Sequence, residues 1–199
     1  MNKPALRPLA AALLVALPLA IPATAEAQSW MARVRAINIS PDVSSSIPGL
    51  DVKDQWAPEL DFSYFFSKNL AAELILSTAR HEVTLDGNSI GKVSILPPTI
   101  TLQYHFTDLG LGALKPYVGA GLNYTRFSNV SLPSGLSIDK NSFGGALQIG
   151  TDFAIDKNWS VNLDVKKVWI RTDLSAAGAT LGKIKVDPVL VGVGVGYKF

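Results

Sequence analysis

Apolar and polar residues alternate with a period of two along most of the chain after residue 28. The pattern is clearest over residues 187–199, where every second position from Val189 to Phe199 is β-branched or aromatic and the positions between are mostly glycine. Successive side chains of a strand point to opposite faces, so this stretch predicts a strand with one apolar face and one nearly bare face. Such a pattern is typical of a strand that faces lipid on one side and a narrow protein interior on the other.

Seven earlier stretches show the same alternation and predict seven more strands. They are residues 30–39, 55–66, 70–78, 94–106, 116–127, 142–154 and the stretch that begins at Trp159. Long predicted loops (40–54, 80–93, 128–141 and 173–183) alternate with short connections (67–69, 107–115 and 155–158). The alternation of the seventh strand slips at Lys166-Lys167, which predicts a β-bulge there. An even number of strands of at least ~9–11 residues, joined in this way, predicts an all-β fold, an eight-stranded antiparallel transmembrane β-barrel.

The first 27 residues have the pattern of a secretory signal peptide. Lys3 and Arg7 precede a short apolar run, 9–17, and Ala25-Glu26-Ala27 forms a small-x-small cleavage site. The run is shorter than the roughly 20 apolar residues that a spanning helix needs. We therefore expect residues 1–27 to be cleaved and residues 28–199 to form the barrel.

Composition is consistent with a barrel and disfavours other classes. After the leader the chain has no apolar run long enough for a membrane helix, and only helices and closed barrels span a bilayer. The formal net charge of +2 does not indicate a nucleic-acid binder, and without cysteine no disulfide can form. The alternative is a soluble lipocalin-like barrel whose apolar faces surround a ligand. It is disfavoured because the last strand would then offer only glycines and Lys198 to solvent.

Charged residues fall on the predicted inner face of several strands. The alternation of inward and outward positions along each strand assigns eight charged residues to this face: Arg33, Arg35, Glu59, Asp61, Glu73, Asp152, Asp164 and Lys166. An eight-stranded barrel leaves an interior just wide enough for side chains, and an unpaired buried charge is costly. We therefore expect these charges to pair and to plug the lower lumen, so that a solute entering from outside cannot continue straight through.

A proline pair interrupts the fourth predicted strand and gives a candidate exit through the wall. Pro97 and Pro98, which follow Leu96, have no backbone N–H to donate to a neighbouring strand. Leu96, Pro97 and Pro98 are therefore candidates for a weakened seam on a lateral substrate path. The alternative is that the prolines only mark where an external loop becomes a strand.

Several segments are together similar to one known family. VRAINISPD (34–42), ILPPTITLQYHF (95–106), KPYVGAGLNYT (115–125), NWSVNLDVK (158–166) and KVDPVLVGVGVGYKF (185–199) resemble the OmpW family. The resemblance implies an eight-stranded barrel of the Gram-negative outer membrane, with membrane lipid, small hydrophobic solutes and the barrel-assembly machinery as partners. Its small lumen would admit apolar molecules and release them sideways into the membrane, with no cofactor or metal. Tyr197 and Phe199 would form the assembly signal, so deletion of Phe199 should impair membrane insertion.

The resemblance also implies a constriction of the lumen, formed in the family by a leucine and a tryptophan. The corresponding residues here are Ile75 and Lys166, so the apolar floor is altered by a lysine that we expect to pair with Glu73 or Asp164. Trp169 is the candidate for supplying the aromatic surface instead. Apolar loop residues either line an entrance or pack the loops together: Ile47, Leu50, Leu132, Leu136 and Leu181.

Two other functions are alternatives to transport. Some outer-membrane barrels modify lipids with a histidine and a nucleophile, and this chain has two histidines, His81 in a predicted external loop and His105 near the periplasmic end. Neither lies in a recognisable nucleophile or metal-ligand motif, so we expect no enzyme activity. The other alternative is a structural barrel whose loops bind partners.

Overall fold

The structure, a computed structural model, describes residues 29–133, 135–176 and 178–199. The predicted signal peptide, residues 1–27, lies outside the described residues. The described residues contain no helix long and apolar enough to cross a membrane.

Strands account for most of the described chain. In chain order they are β1 (Ser29–Ser40), β2 (Ser44–Ser45), β3 (Leu50–Val52), β4 (Gln55–Phe65), β5 (Leu70–Ser77), β6 (Ala79–Leu85), β7 (Asn88–Leu96), β8 (Thr99–His105), β9 (Leu114–Ser131), β10 (Leu136–Ile138), β11 (Asn141–Ala154), β12 (Trp159–Val168), β13 (Arg171–Ala176), β14 (Ala179–Lys185) and β15 (Val189–Lys198).

Eight of these strands form a closed antiparallel ring in the order β1-β4-β5-β8-β9-β11-β12-β15. The ring closes because β15 pairs with β1, from Met31↔Lys198 to Ser40↔Val189, as well as with β12. Closure leaves the barrel without an exposed edge. The prediction of an eight-stranded antiparallel barrel is confirmed, and the last strand closes the ring against the first.

The glycines of β15 make room for large side chains of β1. A Cβ atom at Gly192 would lie 2.9 Å from Cγ2 of Ile37, and one at Gly194 would collide with the carbonyl oxygen of Val34 and with Arg35. A Cβ atom at Gly196 would lie 3.2 Å from Cγ of Arg33. The bare face of the last strand is therefore occupied by its neighbour's side chains.

The outer face of the barrel is apolar and carries an aromatic girdle at one end. At the end with the short connections, the rings of Trp30 and Tyr64 lie 4.9 Å apart, and so do those of Trp159 and Tyr197. Between the ends the outward positions are aliphatic and exposed, for example Val34 and Val193. This is the surface that a transmembrane barrel presents to lipid.

The chain extends beyond the barrel wall at the end with the long connections. The β6–β7 hairpin continues the direction of β5 and β8, β7 pairs with the outer part of β9, and β3 pairs with β6. A second, four-stranded sheet has the order β10-β13-β14-β2. These strands lengthen the interior beyond the eight-stranded ring.

The prediction that residues 80–93 and 173–183 are loops was wrong. They form the β6–β7 and β13–β14 hairpins, and the predicted loops 40–54 and 128–141 contain β2, β3 and β10. The first hairpin turns at Asp86-Gly87, where both residues have positive φ (48° and 79°). Two successive residues with positive φ are typical of the tight turns that join hairpin strands.

The predicted β-bulge at Lys166-Lys167 was also wrong. The pairings of β12 continue in register through Lys166↔Leu190 and Lys167↔Val189 on one side and Ala146↔Val168 on the other. Lys166 and Val168 both face inward and are buried. The apparent slip in the sequence marks a change in the chemistry of the lumen, from polar to apolar, while the strand keeps its phase.

Candidate functional site

The inner face of the barrel changes from charged to apolar within single strands. In β1 the inward residues change from Arg33 and Arg35 to Ile37 and Ile39, and all four are buried. In β12 the same change follows Lys166, where Val168 is the next inward residue. The lumen therefore has a charged lower part, toward the short connections, and an apolar upper part.

Arg33 connects three strands of the lower lumen. It donates to Asp152 through Nε and Nη2, at 3.1 and 2.8 Å, a bidentate contact. Its Nη1 donates to Asp61 Oδ1 at 3.1 Å and to Ser63 Oγ at 2.9 Å. The guanidinium is fully buried, so its charge is balanced by these partners in place of water.

Arg35 lies one inward position higher and binds a second set of acceptors. Its Nη1 lies 2.9 Å from Glu59 Oε1 and 2.6 Å from Asp61 Oδ2. Its Nη2 lies 3.3 Å from Glu73 Oε1, and its Nε donates to Asn162 Oδ1 at 2.6 Å. Asp61 thus bridges the two arginines, and strands β1, β4, β5 and β12 are held together across the interior.

Lys166 forms the upper surface of the charged part. Its Nζ donates to Glu59 Oε1 at 2.7 Å and to Asp164 Oδ1 at 2.6 Å. Asp164 also accepts from Tyr117 Oη at 2.7 Å and from Gln148 Nε2 at 2.8 Å. The structure thus joins all eight charged residues that the alternation assigned to the lumen into one buried network, which crosses the lower interior. We call it the charged floor: Arg33, Arg35, Glu59, Asp61, Glu73, Asp152, Asp164 and Lys166.

Two cavities lie above the charged floor. The lower cavity has a volume of about 30 Å³, with Glu59 and Lys166 at its base and Ile75, Val168 and other apolar side chains around it. The upper cavity has a volume of about 120 Å³, and apart from His81 and Thr172 its lining is entirely aliphatic or aromatic.

The two cavities meet at a neck. Both are lined by His81, Ile95 and Val186, from β6, β7 and the segment before β15. The upper wall comes largely from the strands beyond the barrel: Val83, Val93, Leu174 and Ile184. Sequence analysis missed these residues because it treated two hairpins as loops. The available signal was the alternation of apolar residues on both sides of Asp86-Gly87.

The structure places some substrate-path candidates at the lower cavity and others elsewhere. Ile75, Pro97 and Lys166 line the lower cavity. The expectation that Trp169 supplies an aromatic surface to the lumen was wrong. Trp169 lies between the inward residues Val168 and Ile170 and therefore faces the wall, 3.3 Å from the Cβ position of Gly145, beside a separate cavity of about 280 Å³.

The pairing of the barrel wall is interrupted at the proline pair on one side only. Pairing of β5 with β8 ends at Ile75↔Thr99 and resumes between β6 and β7 at Ala79↔Ile95. On the other side Tyr124 N donates to Pro98 O at 3.0 Å, so contact with β9 is kept. Ser77 and Pro97, on the two sides of the interruption, both line the lower cavity. We call this interruption the proline seam.

Leu96 and Pro98 flank the proline seam and do not line either cavity. Leu96 is 42% exposed on the outer surface of β7. The prolines separate two strands, β7 and β8, so the interpretation that they mark the end of a loop was wrong.

The apolar loop residues and the histidines have defined positions. Ile47, Leu50, Leu132 and Leu136 line the upper cavity, whereas Leu181 is exposed. His81 is buried in β6 at the neck, and His105 lies in the lower interior with Nε2 3.0 Å from Gln103 Oε1. At the girdle the rings of Tyr197 and Phe199 lie 5.0 Å apart, and the role of these two residues in assembly stays a prediction.

Comparison with known proteins identifies the family. A family model described as the OmpW family matches residues 24–199. This chain belongs to the OmpW family. It is an outer-membrane protein, and in such barrels the short turns lie on the periplasmic side and the long connections outside. The charged floor of this OmpW-family barrel is therefore nearer the periplasm, and the upper cavity faces the extracellular side.

Individual relatives agree with this assignment. The chain is 48% identical over 185 residues to the uncharacterised outer-membrane protein y4mB of Sinorhizobium fredii, covering 85% of this chain and 80% of that protein. It is 30% identical to the dibenzothiophene metabolism operon protein PahQ of Pseudomonas aeruginosa, covering 91% and 93%. Among solved structures, the outer-membrane protein OprG of Pseudomonas aeruginosa is similar with a TM-score of 0.76 at 29% identity, covering 87% and 96%.

Proposed function

We propose that this OmpW-family barrel takes up small hydrophobic molecules from outside the cell and releases them sideways into the outer membrane, without catalysing a reaction. The observation that carries the proposal is an apolar path of two cavities that ends on the charged floor. An apolar solute gains free energy by leaving water for such a cavity, in proportion to the apolar area that it buries. The upper cavity is thus the entry site.

The charged floor supports a sideways exit over a straight one. Arg33, Arg35 and Glu73 are almost completely buried, and each has at least two charged partners. To pass between them, a solute would have to separate buried ion pairs without providing new partners, which is costly. The path of lower free energy therefore avoids the floor.

The proline seam supports an exit from the lower cavity. Ser77 and Pro97 line this cavity where β5 and β8 are no longer paired, so the wall has fewer hydrogen bonds to break at that level. The exposed side chain of Leu96 lies on the outer side of the same seam, where it would meet lipid tails. An apolar molecule leaving there enters a medium as apolar as the cavity.

One relative's name supports hydrophobic solutes. PahQ, at 30% identity over most of both chains, is named for an operon of dibenzothiophene metabolism. We extend an association with an apolar aromatic compound to this chain. Tyr197 and Phe199 are proposed as the signal for the barrel-assembly machinery, and membrane insertion of the chain lacking Phe199 tests that role.

Transport is tested by uptake of p-xylene into a Gram-negative host that lacks its own OmpW-family barrel. Cells making this protein should accumulate p-xylene faster than cells carrying the empty vector. Equal rates, with the barrel folded in the outer membrane, would refute hydrophobic uptake.

The lateral exit is tested by closing the proline seam. The chain has no cysteine, so Thr78→Cys with Leu96→Cys places two thiols on either side of the interruption, to be joined by oxidation to a disulfide. Cells in which these two cysteines are cross-linked should lose most p-xylene uptake, and a reducing agent should restore the uptake.

The matched control is Leu74→Cys with Ile100→Cys, a directly paired and outward-facing position in the intact part of the same ladder. Its cross-link should leave uptake unchanged. Full uptake through a cross-linked seam would exclude the lateral exit and leave uptake itself standing.

A further inference from the structure

His81 is the polar side chain at the neck of the apolar path. It is 2% exposed, it belongs to β6 beyond the barrel ring, and its ring lines both the upper and the lower cavity. The other two residues shared by the cavities, Ile95 and Val186, are apolar. A solute that moves from the upper to the lower cavity therefore passes the imidazole.

The hydrogen bond of His81 fixes which nitrogen carries the proton. Nδ1 lies 3.0 Å from the carbonyl oxygen of Lys53. A carbonyl oxygen only accepts, so Nδ1 must be the donor. Burial lowers the pKa of His81 from its usual value, so the ring is neutral at pH 7 and its other nitrogen, Nε2, carries a lone pair without a proton.

That lone pair has no partner within the described part of the chain, in contrast to the hydroxyl groups around it. Ser77 donates to Pro58 O at 2.9 Å and Thr99 donates to Pro97 O at 3.0 Å, so their protons are already used. Thr172 in the upper cavity donates to Asp139 O at 3.3 Å. His81 Nε2 is thus an unused acceptor in a path that is otherwise apolar.

A second unused acceptor lies at the base of the lower cavity. Glu59 Oε1 accepts from Arg35 and Lys166, whereas Oε2 is buried without a hydrogen-bond partner. Both unpartnered atoms are acceptors, so only a hydrogen-bond donor can satisfy them. The lower cavity, at about 30 Å³, has room for a hydroxyl group or a water, since one water needs about 10–15 Å³. The upper cavity, about four times larger, is the site for the apolar body of a solute before it passes the neck.

We infer that His81 is a specificity-determining residue that selects solutes combining an apolar body with one hydroxyl group, such as alkylphenols, over hydrocarbons of the same shape. The hydroxyl donates to Nε2 at the neck while the apolar body occupies the upper cavity. A buried acceptor discriminates strongly against a solute that leaves it unpaired. This inference rests on the proposed function and adds the class of solute.

Three probes of similar size separate the hydrogen bond from shape. p-Cresol carries a donor, p-xylene has a methyl group in its place, and 4-methylanisole has the same oxygen without the proton. Uptake is measured in the host described above and corrected for the empty-vector rate. In wild-type cells the corrected rate should be highest for p-cresol, and 4-methylanisole should behave like p-xylene.

Substitution of the imidazole should remove the preference. His81→Phe keeps a flat ring without an acceptor, and the ratio of p-cresol to p-xylene uptake should fall by about 3–10-fold, the range for one hydrogen bond. His81→Gln provides an acceptor oxygen and should keep an intermediate ratio. Arg80→Ala, the outward neighbour in β6, is the matched control and should keep the wild-type ratio.

The outcomes distinguish the two proposals. Folding of each variant is checked by the heat-dependent gel migration of an intact barrel. The same ratio in wild type and His81→Phe overturns the role of His81, including the case in which a bound water is the only partner of Nε2. If His81→Phe does not fold, equal wild-type uptake of p-cresol and 4-methylanisole overturns it. Uptake of no probe above the empty host overturns the proposed function instead.

Discussion

The lower and upper halves of the lumen are built on the same strands but differ in how they are filled. From Lys166 downward, charged side chains from different strands meet in buried ion pairs. Above it, mostly apolar side chains line cavities of about 30 and 120 Å³. Long charged side chains can bridge a narrow barrel through hydrogen bonds. Short apolar side chains do not reach each other across the centre and therefore leave space.

The two halves also differ in what their residues stabilise. In the charged floor each residue is tied to partners on other strands, so the loss of one leaves buried charges unpaired. In the upper half the residues contribute by apolar burial, and a change there acts mainly on the solute. Substitutions in the floor should therefore affect folding, and substitutions in the upper lining should affect uptake.

The largest effect is expected for Arg35→Met. It leaves Glu59, Asp61 and Glu73 with fewer partners in a buried site and should lower the free energy of unfolding by roughly 3–5 kcal/mol. Urea unfolding in lipid vesicles, followed by tryptophan fluorescence, measures it. The control is Lys53→Met, which removes the exposed pair with Glu82 and should cost less than about 1 kcal/mol. Equal losses would show that the floor is not stabilised by its ion pairs.

An intermediate effect is expected for Leu132→Asp, which places a carboxylate in the lining of the upper cavity. Uptake of p-xylene should fall roughly tenfold, because the solute must displace water from the carboxylate without replacing its hydrogen bonds. Leu181→Asp is the matched control, since Leu181 is 53% exposed and lines neither cavity. Similar uptake by both variants would mean that solutes bypass the upper cavity.

The smallest effect is expected at the boundary between the halves. Replacing Pro97 and Pro98 together by valine restores two N–H groups to the wall. Uptake should fall roughly two- to fivefold if one of them re-forms a ladder bond worth about 0.5–1 kcal/mol. Pro133→Val, in an external connection, serves as the control. Unchanged uptake in a correctly folded double variant would show that the exit does not depend on the two prolines.

The barrel could be predicted from the sequence because alternation along a strand is local. Val189–Phe199 and the inward positions of Arg33 and Arg35 follow from a period of two alone. The pairing of particular charges could not be predicted, since Arg33 meets Asp152 across 119 positions of sequence. Strand stagger around the ring decides such pairs.

The upper cavity was missed for a different reason. Arg80 and Glu82 made the region around His81 polar enough to resemble a loop, although every second residue faces an apolar interior. Trp169 was assigned to the wrong face because the inward residues next to it, Val168 and Ile170, are themselves apolar. A change of inner-face chemistry mimics a change of phase.

The glycines of β15 determine where the barrel can close. A slip of β15 by one residue against β1 would turn Val193 or Val195 inward, where the backbone and side chain of Arg35 leave no room even for the Cβ of Gly194. The arginines are enclosed only when the last strand joins the first. Ring closure and completion of the charged floor are therefore one event, and a misaligned final strand is rejected by the same side chains that it must cover.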